Sequence, residues 1–170
     1  MPSSIIVIAA SLCFGTAVLW AAAADLVTMK IRNELVLFLL ASYVVLAPFS
    51  GLGWAHIGWS AAIAVGILIA MFVLFGLGWI GGGDAKLAAV IALWLGADHA
   101  LVYVLYTALF GGILTIAILQ FRLTPLPAQC LTVPWIMRLH APETGVPYGV
   151  AIASAALFIF PATHWMKALT

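Results

Sequence analysis

Ile5-Ile6-Val7-Ile8-Ala9-Ala10-Ser11-Leu12-Cys13-Phe14-Gly15-Thr16-Ala17-Val18-Leu19-Trp20-Ala21-Ala22-Ala23-Ala24 carries no charge and stops at Asp25. A helix needs roughly 20 mostly apolar residues to cross the hydrocarbon core of a bilayer. Runs of the same kind recur along the chain. Leu35–Ala47 breaks at Pro48, and Ile57–Leu77 leads into a glycine-rich stretch. A fourth run opens after Asp84 and closes near Gly96, a fifth covers Leu101–Phe121, and a sixth goes from Val146 to about Phe160. The only long polar connection, Arg122–Gly145, carries Pro125, Pro127, Pro134 and Pro142. No internal repeat is visible. The expected fold is all-α: a polytopic membrane protein of about six transmembrane helices, forming a single domain over residues 1–170.

Composition excludes the other classes. Of the 170 residues, 66% are hydrophobic and 6% are charged, whereas about a quarter of a soluble domain is charged. So much apolar side chain also excludes disorder. A net charge of +1 offers no basic face for phosphates, so nucleic acid is not an expected partner and the lipid bilayer is. Cys13 and Cys130 are the only cysteines, which excludes a disulfide scaffold.

Lys and Arg near span ends mark the cytoplasmic side. Lys30 and Arg32 follow the first span, Lys86 the third, and Arg122 and Arg138 the fifth; only Lys167 falls elsewhere. Both termini are therefore expected on the outer, periplasmic side. Trp20, Trp54, Trp59, Trp79, Trp94 and Trp165 stand near span ends, where an indole suits the interface. Residues 1–25 also resemble a secretory signal, but Met1-Pro2-Ser3-Ser4 lacks the basic start that such a signal carries, so a retained first helix is expected.

At membrane depth an ionisable side chain is costly and needs a reason. Asp25 ends the first span and Asp84 opens the fourth, on the same side and at the same depth. Two carboxylates that approach closely cannot both ionise and hold one proton between them. One then takes a proton from water while the other donates to an amide carbonyl and to the leaving amine. Such a pair requires no metal, no cofactor and no covalent intermediate. Upstream of Asp84 stands Gly76-Leu77-Gly78-Trp79-Ile80-Gly81-Gly82-Gly83. Three consecutive glycines cost roughly 1 kcal/mol each in a helix, so this stretch is expected to leave the helical ladder. It either opens a cavity for an extended peptide or serves only close helix packing, with Asp84 capping the next helix. Asp25 taken alone reads as an interfacial acid paired with Lys30 or Arg32.

Three elements carry a family resemblance. Gly81-Gly82-Gly83-Asp84 followed by Ala85-Lys86-Leu87 resembles the GxGDxKL motif of type IV prepilin peptidases, within the GxGD class of aspartic membrane proteases. Asp25 with Ile31-Arg32-Asn33 resembles that family's first-aspartate segment, with Arg32 where a proline is usual. Val146-Pro147-Tyr148-Gly149-Val150-Ala151 resembles its Pro-Tyr-Gly element. The resemblance implies removal of a basic leader from a prepilin or pseudopilin at the cytoplasmic face of the bacterial inner membrane. It implies Asp25 and Asp84 as the catalytic pair, and pilus-assembly machinery as a possible partner. Larger members add a domain with paired CxxC zinc ligands and a methyltransferase activity. Neither is expected here, so the chain looks like the short, peptidase-only form that serves Flp-type pilins of tight-adherence systems.

Gly81, Gly83, Lys86, Asn33 and Tyr148 are candidate substrate-binding or supporting residues. Lys86 is a possible tuner of Asp84 or an interfacial lysine, although positions i and i+2 of a helix do not face each other. Asn33 hydrogen-bonds near the pair or caps the second span. Tyr148 lines a cavity or sits at the interface. Glu34 either attracts a basic leader or is a solvated helix end. The four histidines are scattered, with no metal-site spacing. Arg122–Gly145 is a flap or a passive connector. The alternative function is a proton-coupled carrier using the same two acids.

Overall fold

A computed structural model describes residues 4–167. The Met1–Ser3 stretch weighed against a signal peptide, the side chain of Lys167 and the far ends of the expected 1–170 domain lie outside the described residues. Among the described residues eight helices follow one another: α1 (Ser4–Thr28), α2 (Asn33–Leu46), α3 (Trp54–Gly76), α4 (Gly82–Leu95), α5 (Ala97–Leu123), α6 (Pro134–His140), α7 (Tyr148–Ile159) and α8 (His164–Lys167). No strand occurs among the described residues. The protein is an all-helical, polytopic membrane protein.

The apolar runs become helices where the sequence reading puts them, but their lengths differ. The apolar segments Ile5–Thr28, Trp54–Gly76 and Ala97–Leu123, with 24, 23 and 27 residues, are long enough to cross a bilayer unaided. The other three are shorter. A single-turn helix over Ala47–Phe49 prolongs α2 past Pro48, and a similar turn over Phe160–Ala162 prolongs α7. With 14 residues, α4 extends only about 21 Å at 1.5 Å per residue. It is buried on nearly every side, from Ala85 to Leu95, as expected of a helix that is apolar all round.

Around α4 pack α3, α5, α7 and α2, while α1 closes on α7. Both helices bury alanines in the core: Ala10 and Ala21 of α1 and Ala155 and Ala156 of α7 are fully buried. Small side chains allow the close backbone approach that replaces hydrophobic drive between helices in lipid. On the outside, Ile5, Leu12, Leu19, Leu37, Val65 and Ile116 are exposed. In water such a belt invites aggregation; against lipid it meets its own kind of solvent.

Two of the six tryptophans expected at the interface depart from that expectation, out of seven in the chain. Trp94 and Trp165 are buried, with ring centroids 5.0 Å apart. Their indole N–H groups donate to the carbonyls of Leu39 and Trp94 at 3.0 and 2.9 Å, so burial leaves no donor unpaired. Phe14 and Tyr43 pack on the same pair. Trp20, Trp54, Trp59 and Trp79 are exposed, as expected.

Helix ends sort the charges. The contacts that join α1, α2, α4, α5, α6 and α7 at one end of the bundle involve or flank Lys30, Arg32, Lys86, Arg122 and Arg138. At the opposite end His56, Asp98, His99 and His164 line one cavity of ≈ 370 Å³. Three of the four histidines thus converge rather than scatter. No group of three His, Cys, Asp or Glu with metal-holding geometry occurs among the described residues.

Candidate active site

Asp25 stands in the last turn of α1. Met29 ends that helix with φ 55°, a left-handed C-terminal conformation more usual for glycine. Its N–H returns to the Asp25 carbonyl at 2.8 Å. The Asp25 side chain is only 5% exposed. Its partner is the backbone: the Gly149 N–H donates to Asp25 Oδ2 at 2.7 Å. Gly149 is the second residue of α7, where an N–H has no acceptor within the helix, so the carboxylate takes a donor that needs one. A side chain at Gly149 has no room, because its Cβ would lie 2.8 Å from Asp25 Oδ2 and 2.9 Å from Ile31 Cδ1. Neither Lys30 nor Arg32 pairs with Asp25 among the described residues, which removes the interfacial ion-pair reading.

Asp84 is the third residue of α4, so that helix starts before the aspartate rather than after it. Between α3 and α4 the chain is non-helical over Leu77–Gly81 and turns at Gly78 with φ 77°. Gly82 and Gly83 nevertheless stay in the first turn of α4, against the expectation that the whole glycine run leaves the ladder. The α1–α2 connection packs closely on this turn. A Cβ on Gly83 would meet Ile31 Cβ at 3.1 Å and the Ile31 carbonyl oxygen at 3.3 Å. Gly81 faces Asp84 itself, with Oδ2 2.8 Å from where a Cβ would stand. The other carboxyl oxygen, Oδ1, is buried without a hydrogen-bond partner among the described residues. Close packing and an opened loop therefore coexist in the glycine run.

Ile31 lies between the two acid-bearing segments, against Gly83 on one side and Gly149 on the other. Asp25 and Asp84 are thus tied through one residue, since Gly83 stands next to Asp84 and the N–H of Gly149 holds Asp25. They do not share a lining. Asp84 and Tyr148 both border a cavity of ≈ 510 Å³ between α3, α4, α5 and α7. Asp25 lies under Gly149, outside that lining. The Tyr148 ring rests on α5, where a Cβ on Gly111 would meet its Cε1 at 2.7 Å.

The remaining candidates fall into place around this pair. Lys86 Nζ donates to Asn33 Oδ1 at 3.0 Å, joining the start of α4 to the start of α2, and does not pair with Asp84. Asn33 is the first residue of α2 rather than its cap. Glu34 pairs with Arg32 at 3.1 Å, with side chains 72% and 74% exposed, so water screens the contact and it contributes little. The Arg122–Gly145 connection is tied down. Arg122 donates to the carbonyls of Leu139, Thr144 and Gly145 and to Thr144 Oγ1, and Arg138 donates to the Val27 carbonyl at 2.8 Å. The sequence reading quoted Ile31 and Gly149 only as members of the resembling segments and Arg122 only as the start of the connection, and gave none of the three a part in building the site. The signals available were a glycine just inside a helix start and an arginine entering a proline-rich loop.

A sequence model described as the type IV leader peptidase family matches residues 12–116. That stretch includes Asp25, Asn33, the glycine run, Asp84 and Lys86; Tyr148 and Gly149 lie beyond it. No curated protein and no solved structure matches the chain.

Proposed function

The chain belongs to the type IV leader peptidase family, and on that premise we propose that it is an aspartic endopeptidase in which Asp25 and Asp84 together activate water. The substrate is a prepilin-type precursor, a basic leader joined to an apolar helix, and within that class a precursor of the Flp type. The observation that carries the reading is the meeting of three segments distant in sequence: 25–33, 81–87 and 146–151. They meet around two acids at one end of the bundle.

Chemistry follows from the pair. Two acids in reach of each other share a proton, and the pair titrates as a unit. The ionised partner draws a proton from a water molecule, whose oxygen attacks the scissile carbonyl carbon. The protonated partner donates to the carbonyl oxygen and, as the tetrahedral intermediate collapses, a proton passes to the leaving nitrogen. The hydrogen bond from Gly149 fixes one carboxylate, and the glycines at 81 and 83 leave room for a peptide backbone beside the other. Holding the junction there makes the attack effectively unimolecular.

Five basic residues on the Asp25–Asp84 end support a cytoplasmic position for that end, by the positive-inside rule. In a bacterial inner membrane α1 then starts on the outer side.

The test uses the purified full chain in lipid vesicles with an epitope-tagged pilin precursor from the same genome. Leader release at the junction with the apolar helix, identified by mass spectrometry and persisting in EDTA, is the expected result. A precursor left intact overturns the reading, and proton-coupled solute flux in its place establishes the carrier.

A further inference from the structure

The last turn of α1 and the short helix α6 border an open cleft of ≈ 740 Å³. It lies at the end of the bundle that carries the two acids. Val27, Met29, Lys30, Trp135 and Arg138 line it. The volume falls in the range of ligand clefts, about 300–1,000 Å³. Lys30 and Arg138 bring two bases to this lining, and no acid belongs to it. The other bases of this end are engaged: Arg32 pairs with Glu34, Lys86 donates to Asn33, and Arg122 holds the carbonyls of Leu139, Thr144 and Gly145. No carboxylate pairs with Lys30 or Arg138 among the described residues.

Backbone contacts fix the walls. One N–H of the Arg138 guanidinium donates to the Val27 carbonyl at 2.8 Å, across 111 positions of sequence. That carbonyl lies in the last turn of α1, where it finds no donor within the helix. The bond anchors the guanidinium and leaves further donors of its fork for a second acceptor. Leu139, next along α6, is buried, and its carbonyl accepts from Arg122 of α5. With α6 held in this way, Val27, Leu131, Trp135 and Met137 stay exposed. Exposed apolar side chains, an indole and two bases at the end of a span make both halves of an interfacial site, one for hydrocarbon and one for charge.

We propose that this cleft binds an anionic phospholipid, with Lys30 and Arg138 on the headgroup phosphate and Val27 and Trp135 against the upper part of an acyl chain. Lys30 supplies a compact charge and Arg138 a planar fork suited to phosphate. A basic leader would be repelled by the same two charges. A free phosphate would leave the apolar wall unused. Basic pockets at the ends of membrane helices recognise such headgroups. The site goes beyond the peptidase reading and does not depend on it.

The experiment takes the purified full chain from vesicles of phosphatidylcholine and phosphatidylglycerol. Native mass spectrometry counts the lipid it retains. A phosphatidylglycerol with a diazirine in its acyl chain maps the contact. Retention of phosphatidylglycerol over phosphatidylcholine is expected, with the label on residues 27–30 and 134–138. Lys30→Gln should weaken retention about five-fold, the factor of one basic residue at an anionic surface. That variant keeps the Val27 bond, so it remains decisive where Arg138→Gln loosens α6. Arg32→Gln removes the same charge at the same end but outside this lining, and should leave retention unchanged. Equal retention of both lipids, labelling elsewhere, or equal losses in Lys30→Gln and Arg32→Gln overturns the site. Displacement of the retained lipid by millimolar inorganic phosphate overturns the lipid assignment in favour of a free anion.

Discussion

The Gly149 N–H and the Asp25 carboxylate meet at 2.7 Å across 124 positions of sequence. A methyl group at residue 149 would stand 2.8 Å from Asp25 Oδ2 and 3.0 Å from Asp25 Cβ. Gly149→Ala must therefore displace the acid or the start of α7. A misplacement of about 1 Å costs on the order of a hundred-fold in rate at an active site, and that loss is the expected outcome in initial rates of leader release. A variant cleaving within about three-fold of wild type would contradict the contact's role, on the same scale.

Neighbouring glycines are expected to differ. A Cβ on Gly82 meets only the outer edge of the Phe75 ring, at 3.3 Å, whereas one on Gly83 meets the backbone of Ile31. A ring can swing, while backbone moves only with its turn. Gly83→Ala is expected to destabilise by about 1–3 kcal/mol through overpacking and to lower cleavage. Gly82→Ala should be nearly neutral, since the gain in helix propensity, about 1 kcal/mol, offsets a small shift of the ring. Thermal unfolding in detergent ranks the two; equal losses would refute the Ile31 contact.

Lys86 and Asn33 act as one unit. Each of Lys86→Met and Asn33→Ala removes the same 3.0 Å bond, worth about 0.5–1.5 kcal/mol net. The double variant should lose no more than either single one. Their pH–rate profiles should coincide. A shifted acid limb in Lys86→Met alone would mean that the lysine acts on Asp84 directly.

Arg122 holds the segment that leads to the Pro147-Tyr148-Gly149 anchor. Arg122→Met leaves the carbonyls of Leu139, Thr144 and Gly145 without their shared donor. Faster proteolytic nicking within residues 125–145 is expected, together with slower leader cleavage. Arg122→Lys should rescue little, because an ammonium cannot copy the guanidinium fork. Wild-type nicking rates in both variants would show that the loop is held by something else.

Apolar runs made the helices legible, and helix order alone carried Asp25 and Asp84 to one depth. Helix length was less legible. The run that opens after Asp84 and closes near Gly96 reads as a span, while α4 is a core helix wrapped by its neighbours. Trp94 and Trp165 read as interfacial because sequence places them near span ends, but their indole N–H bonds are tertiary. The same holds for the glycine at 149, whose donor matters only once α7 is laid against α1. Helical spacing counted against Lys86 facing Asp84 without deciding its role, because its bond to Asn33 depends on how α2 meets α4. The convergence of His56, His99 and His164 likewise depends on the bundle closing.

The central claim is that two aspartates cut one peptide bond. Its most direct measurement is leader release by purified Asp25→Asn and Asp84→Asn, each compared with wild type in the same vesicles and each checked for an unchanged helical spectrum. Both folded variants should leave the precursor whole, since an amide cannot take or share the proton as a carboxylate does. Full processing by either one would contradict the account.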